Sequence, residues 1–141
     1  MKLLKTLVAL ALAAAITALC ALGAEELDAA PAMAAAQAWL THVDAGDYTR
    51  SWDEGAAHFR ESISKVQWQN TLDGARTPLG VMIARKMRSA AYAHTHPGAP
   101  VGEYFVIEYD TRFANRPRAI ETVTPMREAD GSWKVADYSI R

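Results

Sequence analysis

Residues 103–113 decide the fold, and they read Glu-Tyr-Phe-Val-Ile-Glu-Tyr-Asp-Thr-Arg-Phe. Apolar side chains alternate with mainly polar ones along this segment. Successive side chains of a β-strand point to opposite faces of a sheet, so this alternation predicts a strand with one buried face. The predicted buried face carries Phe105, Ile107, Tyr109 and Phe113, and the opposite face carries Tyr104, Val106, Glu108, Asp110 and Arg112.

Three further segments of the C-terminal half are predicted strands, because turn signals rich in proline, glycine and asparagine separate stretches of apolar residues. Pro125 predicts an edge position or a bulge in the third strand, since proline cannot donate a ladder hydrogen bond. The complete set of predicted strands is 81–94, 103–113, 119–127 and 132–140.

The last of these strands changes phase along its length. Trp133 and Val135 share one face, whereas Tyr138 and Ile140 share the opposite face of a regular strand. A bulge near Ala136-Asp137 returns all four side chains to one face, because a bulge adds one residue to one strand of a pair. We therefore predict a bulge there.

The N-terminal half has helical spacing instead. The first predicted helix, about 31–45, ends before Gly46, because glycine adopts the left-handed cap conformation without strain. Asp47 is a predicted cap for a second helix, which Gly55 weakens. A capping box that begins at Ser64 starts a third helix. Helices followed by antiparallel strands define an α+β fold, in which the N-terminal helices pack on one face of a curved four-stranded antiparallel sheet.

The first residues have the features of a signal peptide. Lys2 and Lys5 precede an apolar run, and the small residues near Gly23 suit a cleavage site. We predict a signal peptide at 1–23, a flexible lead at 24–30 and a single α+β domain at 31–141, in a periplasmic or secreted protein. A lipidated Cys20 and an uncleaved anchor are the alternatives. After cleavage the domain has no cysteine, and we expect no stable membrane insertion.

Composition restricts the class of partner. The full chain has 15 basic and 16 acidic residues. Loss of residues 1–23 removes two of the lysines and makes the balance more acidic, which argues against nucleic acid as a partner. No phosphate-binding loop, nucleophile elbow or zinc motif is present, so we predict no cofactor and no metal.

Several segments together resemble a bacterial family, domain of unknown function family 4019. The resemblance covers roughly residues 33–141 and is carried by Ala38-Trp39-Leu40, Asp44-Ala45-Gly46-Asp47-Tyr48, Ser51-Trp52, Arg76-Thr77-Pro78-Leu79-Gly80, Pro97 to Tyr104, Glu121-Thr122-Val123-Thr124 and Asp130 to Val135. That family offers no catalytic motif to transfer. The layout also resembles the nuclear transport factor two-like (cystatin-like) superfamily, which implies a cone with a pocket and includes isomerases, dehydratases and binding proteins.

The candidate catalytic residues are two carboxylates and a tyrosine. Asp110 can act as a general base in a pocket, with Arg112 setting its charge state. Glu121 can line a cavity with Tyr138 nearby, or can pair across the sheet with Arg112 or Arg118. The non-catalytic alternative is that Asp110 lies on the solvated outer face of the sheet.

The candidate ligand-binding residues are Trp39, Trp52 and Arg112, although core packing is the ordinary role of such aromatic side chains. His94 and His96 have the spacing of two metal ligands on a strand, but a third ligand is missing.

Three hypotheses follow for the function. The preferred one is a non-catalytic module that binds a small apolar or amphipathic ligand, or a protein partner. The second is a small enzyme of the isomerase or dehydratase kind that uses Asp110 or Glu121 with Tyr138. The third is a structural or interaction protein that forms a homodimer through the exposed face of the sheet.

Overall fold

The computed structural model describes residues 27–141. The predicted signal peptide and the first part of the predicted lead lie outside the described residues. Between residues 27 and 141, no helix combines the length and the apolar character that a membrane span requires.

Four α-helices form the N-terminal half of the described chain. Their caps follow the sequence, because the Asp47 side chain accepts a hydrogen bond from the backbone N–H of Arg50, and Ser64 and Gln67 form both bonds of a capping box. Gly46 follows the first helix with φ of 75°, as its predicted role requires. The helices are α1 (Ala30–Asp44), α2 (Tyr48–Asp53), α3 (Ala57–Ser62) and α4 (Lys65–Arg76), and a short 3-10 helix follows at Thr77–Leu79.

The second predicted helix is divided in two. Helix α2 ends at Asp53, and α3 begins at Ala57 with its own N-cap, so the chain bends at Gly55, where the sequence predicted weakness. The backbone N–H of Ala56 instead donates to the carbonyl of Val135 at 2.8 Å, which ties this bend to the last strand.

Four antiparallel strands form one sheet in the order β1-β2-β3-β4. Strands β1 and β4 are therefore the edges, and β2 and β3 are central. The strands are β1 (Met82–Ala93), β2 (Tyr104–Phe113), β3 (Arg116–Arg127) and β4 (Trp133–Ile140). The third strand begins three residues earlier than predicted and includes Pro117.

The predicted bulge in β4 is confirmed. Asp137 pairs with Thr124 and Val135 pairs with Pro125, so Ala136 is an extra residue on β4. Pro125 lies beside this bulge in a central strand, which confirms the bulge alternative and makes the edge alternative wrong. The inward-facing side chains of β4 are Trp133, Val135, Tyr138 and Ile140, which pair with Arg127, Pro125, Val123 and Glu121.

The helices cover mainly one half of the sheet. Helix α1 packs on β3 and β4, and α3 packs on β4, whereas β1 contacts chiefly β2. The core between these layers is aromatic: the Trp39 ring lies 5.3 Å from that of Tyr138 and 6.1 Å from that of Trp68. The indole N–H groups of Trp39 and Trp68 both donate to Ser51, one to its carbonyl and one to its hydroxyl, so both buried indoles have hydrogen-bond partners. The inner face of β1 is only partly covered, since Met87 and Tyr92 remain 42% and 37% exposed.

Two glycines test how tightly the helical layer is packed. A Cβ at Gly55 would meet the Phe59 ring and stand 3.2 Å from the Trp52 carbonyl, and that ring is fixed edge-on against Trp68. We expect Gly55→Ala to lower the free energy of unfolding by about 1–3 kcal/mol, since overpacking forces a shift. Gly74 lies in α4 with nothing within 4 Å of such a Cβ.

Gly74→Ala is therefore the matched control, and it should raise the free energy of unfolding by about 0.5–1 kcal/mol through the lower entropy of the unfolded chain. Urea unfolding followed by tryptophan fluorescence measures both. The same sign for the two substitutions would contradict the packing at Gly55.

Candidate functional site

Five side chains from five elements meet beneath the helices. We call this cluster, made of Asp44, Arg76, Arg85, Glu121 and Tyr138, the buried polar network. Asp44 and Arg76 are the last residues of α1 and α4, and the others come from β1, β3 and β4. The side chains of Arg76, Arg85 and Glu121 are 6%, 12% and 0% exposed, so the network is nearly cut off from solvent.

Glu121 is the centre of the network. Its Oε1 accepts a bond of 2.8 Å from Arg85 Nε and one of 2.6 Å from the Thr111 hydroxyl. Its Oε2 accepts a bond of 3.1 Å from Arg85 Nη2 and another from the Tyr138 hydroxyl. A buried carboxylate needs such donors, because removal from water costs several kcal/mol. Both oxygens are thus engaged by groups of the protein.

Asp44 joins the two arginines from the helical side. Arg85 Nη1 donates to Oδ2 at 2.7 Å, and Arg76 Nη2 donates to Oδ1 at 2.9 Å. Arg76 Nη1 also donates to the Tyr138 hydroxyl at 3.2 Å. Two carboxylates therefore face two guanidinium groups, and the network has no net charge when all four are ionised.

The pKa values of the network follow from this geometry. Burial alone would raise the pKa of Asp44, but hydrogen bonds from Arg85 and Arg76 outweigh it and hold that pKa below its ordinary value. Burial opposes the charge of Arg85 too, yet its bonds to Asp44 and Glu121 raise the pKa of its guanidinium. Burial, together with the charge of Glu121, raises the pKa of the Tyr138 phenol. Tyr138 is therefore neutral at physiological pH and acts as a donor.

These facts limit the chemistry of the network. A general base needs a lone pair within reach of a substrate proton. The carboxylate of Glu121 is fully buried, and both oxygens already accept two bonds each. As it stands, the arrangement holds secondary-structure elements together and presents no free acid or base.

The three candidate catalytic residues do not meet. Glu121 and Tyr138 are hydrogen-bonded, but Asp110 lies on the opposite face of the sheet. The side chain of Asp110 is 60% exposed and stands 3.5 Å from Arg88. Asp110 therefore lies on the solvated outer face of the sheet, as the non-catalytic alternative predicted.

The predicted ion pair of Glu121 exists, but its predicted partners are wrong. Arg112 and Arg118 are exposed beside the buried Thr111 and Ala119, so they point to the outer face, away from Glu121. Arg85 takes their place, because it pairs with Thr111 across β1 and β2 and so shares the inner face.

The candidate ligand-binding residues also lie apart. Trp39 is 3% exposed and belongs to the core. Trp52 is half-buried, with its indole N–H bonded to the Ile63 carbonyl at 2.8 Å and the Lys65 ammonium 5.0 Å from its ring. Arg112 is exposed on the outer face of the sheet.

The two histidines do not form a metal site with other ligands. His96 pairs with Asp137 at 2.9 Å, and His94 contacts the Tyr92 hydroxyl. Across residues 27–141, no group of three metal-ligating side chains comes together.

An open strip on the inner face of β1 and β2 was not predicted. We call it the sheet groove and define it by Leu27, Met87, Ala90, Tyr92 and Phe105. Met87, Ala90 and Tyr92 pair with the buried residues Tyr109, Ile107 and Phe105, so they face the helical side. Met87 and Tyr92 are nonetheless 42% and 37% exposed, whereas Ala90 is half-buried and Phe105 is buried beneath them.

Two cavities lie along the sheet groove. One of about 790 Å³ is bounded by Leu27, Tyr92 and Phe105. The other, of about 240 Å³, lies between α1 and β1 and is bounded by Met87 and Tyr109. The smaller one also has a polar wall, formed by Gln37, Thr41, Asp44 and Arg85. Among the described residues, the buried hydroxyl of Tyr109 has no hydrogen-bond partner.

Sequence reasoning missed Asp44, Arg76 and Arg85, although one signal was present. Arg85 occupies the same alternate set of β1 as Met87, so a charged residue stood in a partly apolar face. Asp44 and Arg76 gave no such signal, because a charged residue at the end of a helix is ordinarily solvated.

The comparisons agree with the family resemblance. The family model described as protein of unknown function (DUF4019) matches residues 35–138. The chain therefore belongs to the DUF4019 family. No match was found among curated proteins or among solved structures.

Glu121→Gln tests the centre of the network. The substitution keeps the volume of the side chain but leaves two buried guanidinium groups with one carboxylate. We therefore expect the free energy of unfolding, measured by urea unfolding, to fall by about 3–5 kcal/mol. Glu108→Gln is the control, because Glu108 pairs with Arg141 at 2.7 Å on the outer face and this arginine side chain is 67% exposed. Glu108→Gln should lower the free energy of unfolding by less than about 1 kcal/mol. Equal losses would show that Glu121 is not buried as described.

Asp44 predicts a dependence of stability on pH. Its pKa is lower in the folded chain than its ordinary value of 3.8, so the unfolded chain binds more protons in this range. The stability that Asp44 contributes is complete above pH 3.8 and is lost as the pH falls below it. We expect Asp44→Asn to flatten the fall in unfolding free energy between pH 5 and pH 2.5. Parallel pH profiles for wild type and Asp44→Asn would contradict the assignment.

Proposed function

We propose that this domain is a non-catalytic binding module that takes a small, elongated amphipathic ligand in the sheet groove. The observation that carries the proposal is the exposed strip of apolar and aromatic side chains on the inner face of the sheet, next to a polar wall. Contiguous exposed apolar surface on a small domain marks an interaction site, because exposure of such surface to water is unfavourable.

The apolar part of the site suits a chain-like body. Met87 and Tyr92 are five residues apart on β1, which corresponds to roughly 16 Å of strand. The ring of Tyr92 stands edge-on to that of Phe105, with 5.6 Å between ring centres, and offers an aromatic wall. A ligand that covers Met87, Ala90 and Tyr92 removes this surface from water.

The smaller cavity, with its polar wall of Gln37, Thr41, Asp44 and Arg85, forms the polar end of the site and suits an uncharged head group. The cavity of about 240 Å³ is smaller than the range of about 300–1,000 Å³ in which drug-sized ligands are enclosed. Arg85 is already neutralised by Asp44 and Glu121, so an additional anion gains little there. A hydroxyl or amide group can bond to Gln37 or Thr41, and the unpartnered Tyr109 hydroxyl supports a polar ligand atom nearby.

The enzyme hypothesis receives less support. Glu121 has no free oxygen, Tyr138 is a neutral donor, and Asp110 lies on the other face. The homodimer hypothesis also meets an obstacle, because the exposed face of the sheet carries Lys86, Arg112 and Arg118, and two copies of that face would repel each other. Export to the periplasm and the cone-like, nuclear transport factor two-like grouping remain parts of this proposal.

The neutral fluorophore N-phenyl-1-naphthylamine tests the groove. We expect its fluorescence to rise on binding, and Ala90→Glu to weaken binding by about 10-fold or more, since a buried charge is costly. Val66→Glu is the control, because Val66 is 64% exposed on α4, outside the groove. Met87→Glu provides a second groove variant if Ala90→Glu does not fold, with folding checked by the melting temperature. Equal binding by folded groove variants and wild type would overturn the proposal.

Competition tests the polar end separately. Dodecanol should displace the fluorophore at a lower concentration than dodecanoate does, because Gln37 and Thr41 in the polar wall are uncharged and Arg85 is already paired with Asp44 and Glu121. Stronger displacement by dodecanoate would refute the uncharged head group. Native mass spectrometry of protein purified from the periplasm would reveal a bound ligand directly.

A further inference from the structure

The outer face of the sheet has a second, basic depression. It has a volume of about 780 Å³ and lies where β1, β2 and β3 meet on the face opposite the helices. We call this surface the basic face. Five exposed cationic residues line it, namely Lys86, Arg112, Arg116, Arg118 and Arg141, whereas the only acidic residue among the described lining is Asp110.

Most of these cations are not neutralised. Asp110 is engaged by Arg88 at 3.5 Å, and Glu108 is engaged by Arg141 at 2.7 Å. Among residues 27–141, no carboxylate forms an ion pair with the other four cations of the basic face. Positive potential is thus concentrated on one face of a chain whose formal net charge is −1.

Exposed apolar side chains border the same end of the sheet. Val81 is 69% and Ile83 50% exposed, which is unusual for side chains of their size. The backbone N–H of Ala114 donates to the Val81 carbonyl at 2.9 Å, and Met82 pairs with Phe113, so this segment adjoins the turn that carries Arg116. Exposed apolar residues and Arg116 therefore lie at the same end of the sheet.

We propose that the basic face docks onto the surface of an anionic phospholipid bilayer. Cations near such a surface are each worth about 1 kcal/mol, and exposed apolar side chains gain by entering the boundary between head groups and acyl chains. The basic face supplies the cations, and the exposed Val81 and Ile83 lie at the adjoining end of the same sheet. The sheet groove lies on the opposite face, so a docked domain still presents it to solvent.

Charge and composition favour a bilayer over the other occupants. A second copy of this face is excluded by repulsion between two sets of unneutralised arginines. An acidic protein segment accounts for the cations but not for the exposed valine and isoleucine. An anionic bilayer accounts for both.

The experiment is co-sedimentation of protein purified after export with vesicles of 30% phosphatidylglycerol and 70% phosphatidylcholine, or of phosphatidylcholine alone. Any leader retained on the chain is common to all samples, so differences between lipids and variants report on the face. We expect binding to the anionic vesicles only, weakened in 0.5 M NaCl because salt screens exposed charges. Arg112→Gln with Arg118→Gln should lower the partition coefficient roughly 30-fold.

The matched control is Arg50→Gln with Arg60→Gln, which removes the same charge from the helical layer and should change the coefficient less than about 3-fold. Val81→Ser with Ile83→Ser should weaken binding without altering the preference for anionic lipid. An equal loss of vesicle binding in the two double arginine variants would overturn the proposal. Equal binding of the wild type to anionic and to phosphatidylcholine vesicles would overturn it too. Binding of polyglutamate without binding of vesicles would do the same, in favour of an acidic protein partner.

Discussion

The carboxylate of Glu121 is the constraint on which the rest of this fold depends. It is fully buried on a central strand, and its oxygens are matched by donors from β1, β2 and β4. Through Arg85 the same network reaches Asp44 at the end of α1. An unmatched buried carboxylate is very costly, so each donor fixes the position of its own element. The network therefore joins the two layers at the edge where the apolar core ends.

The backbone layout was predictable because its signals are local. Alternation of apolar and polar residues indicates a strand, and the phase change between Val135 and Tyr138 indicates a bulge. Caps such as Asp47 lie directly beside the helices that they begin. The buried polar network was not predictable in the same way. Whether Glu121 meets Arg85 or Arg112 depends on register and on which face each strand buries, and both are properties of the folded sheet. The wrong choice of Arg112 reflects that missing information.

Net charge concealed a second feature for a similar reason. The chain is slightly acidic as a whole, and averaging removed any sign of a basic surface. Lys86, Arg112 and Arg118 come from three strands, and only strand pairing gathers them on one face. The opposite face of the same strands is neutral and largely apolar. The two faces of one sheet thus differ in character, one basic and one largely apolar, because successive side chains of each strand point to opposite faces.

The bulge at Ala136 serves a contact outside the interior. If that residue were deleted, β4 would alternate strictly, and its inward side chains, Tyr138 included, would still face inward. The interior therefore does not require the additional residue. What it provides is the local bend that accompanies a bulge, at the point where Asp137 reaches His96 in the loop between β1 and β2. Deletion of Ala136 would therefore keep the interior but remove the bend that brings Asp137 to His96.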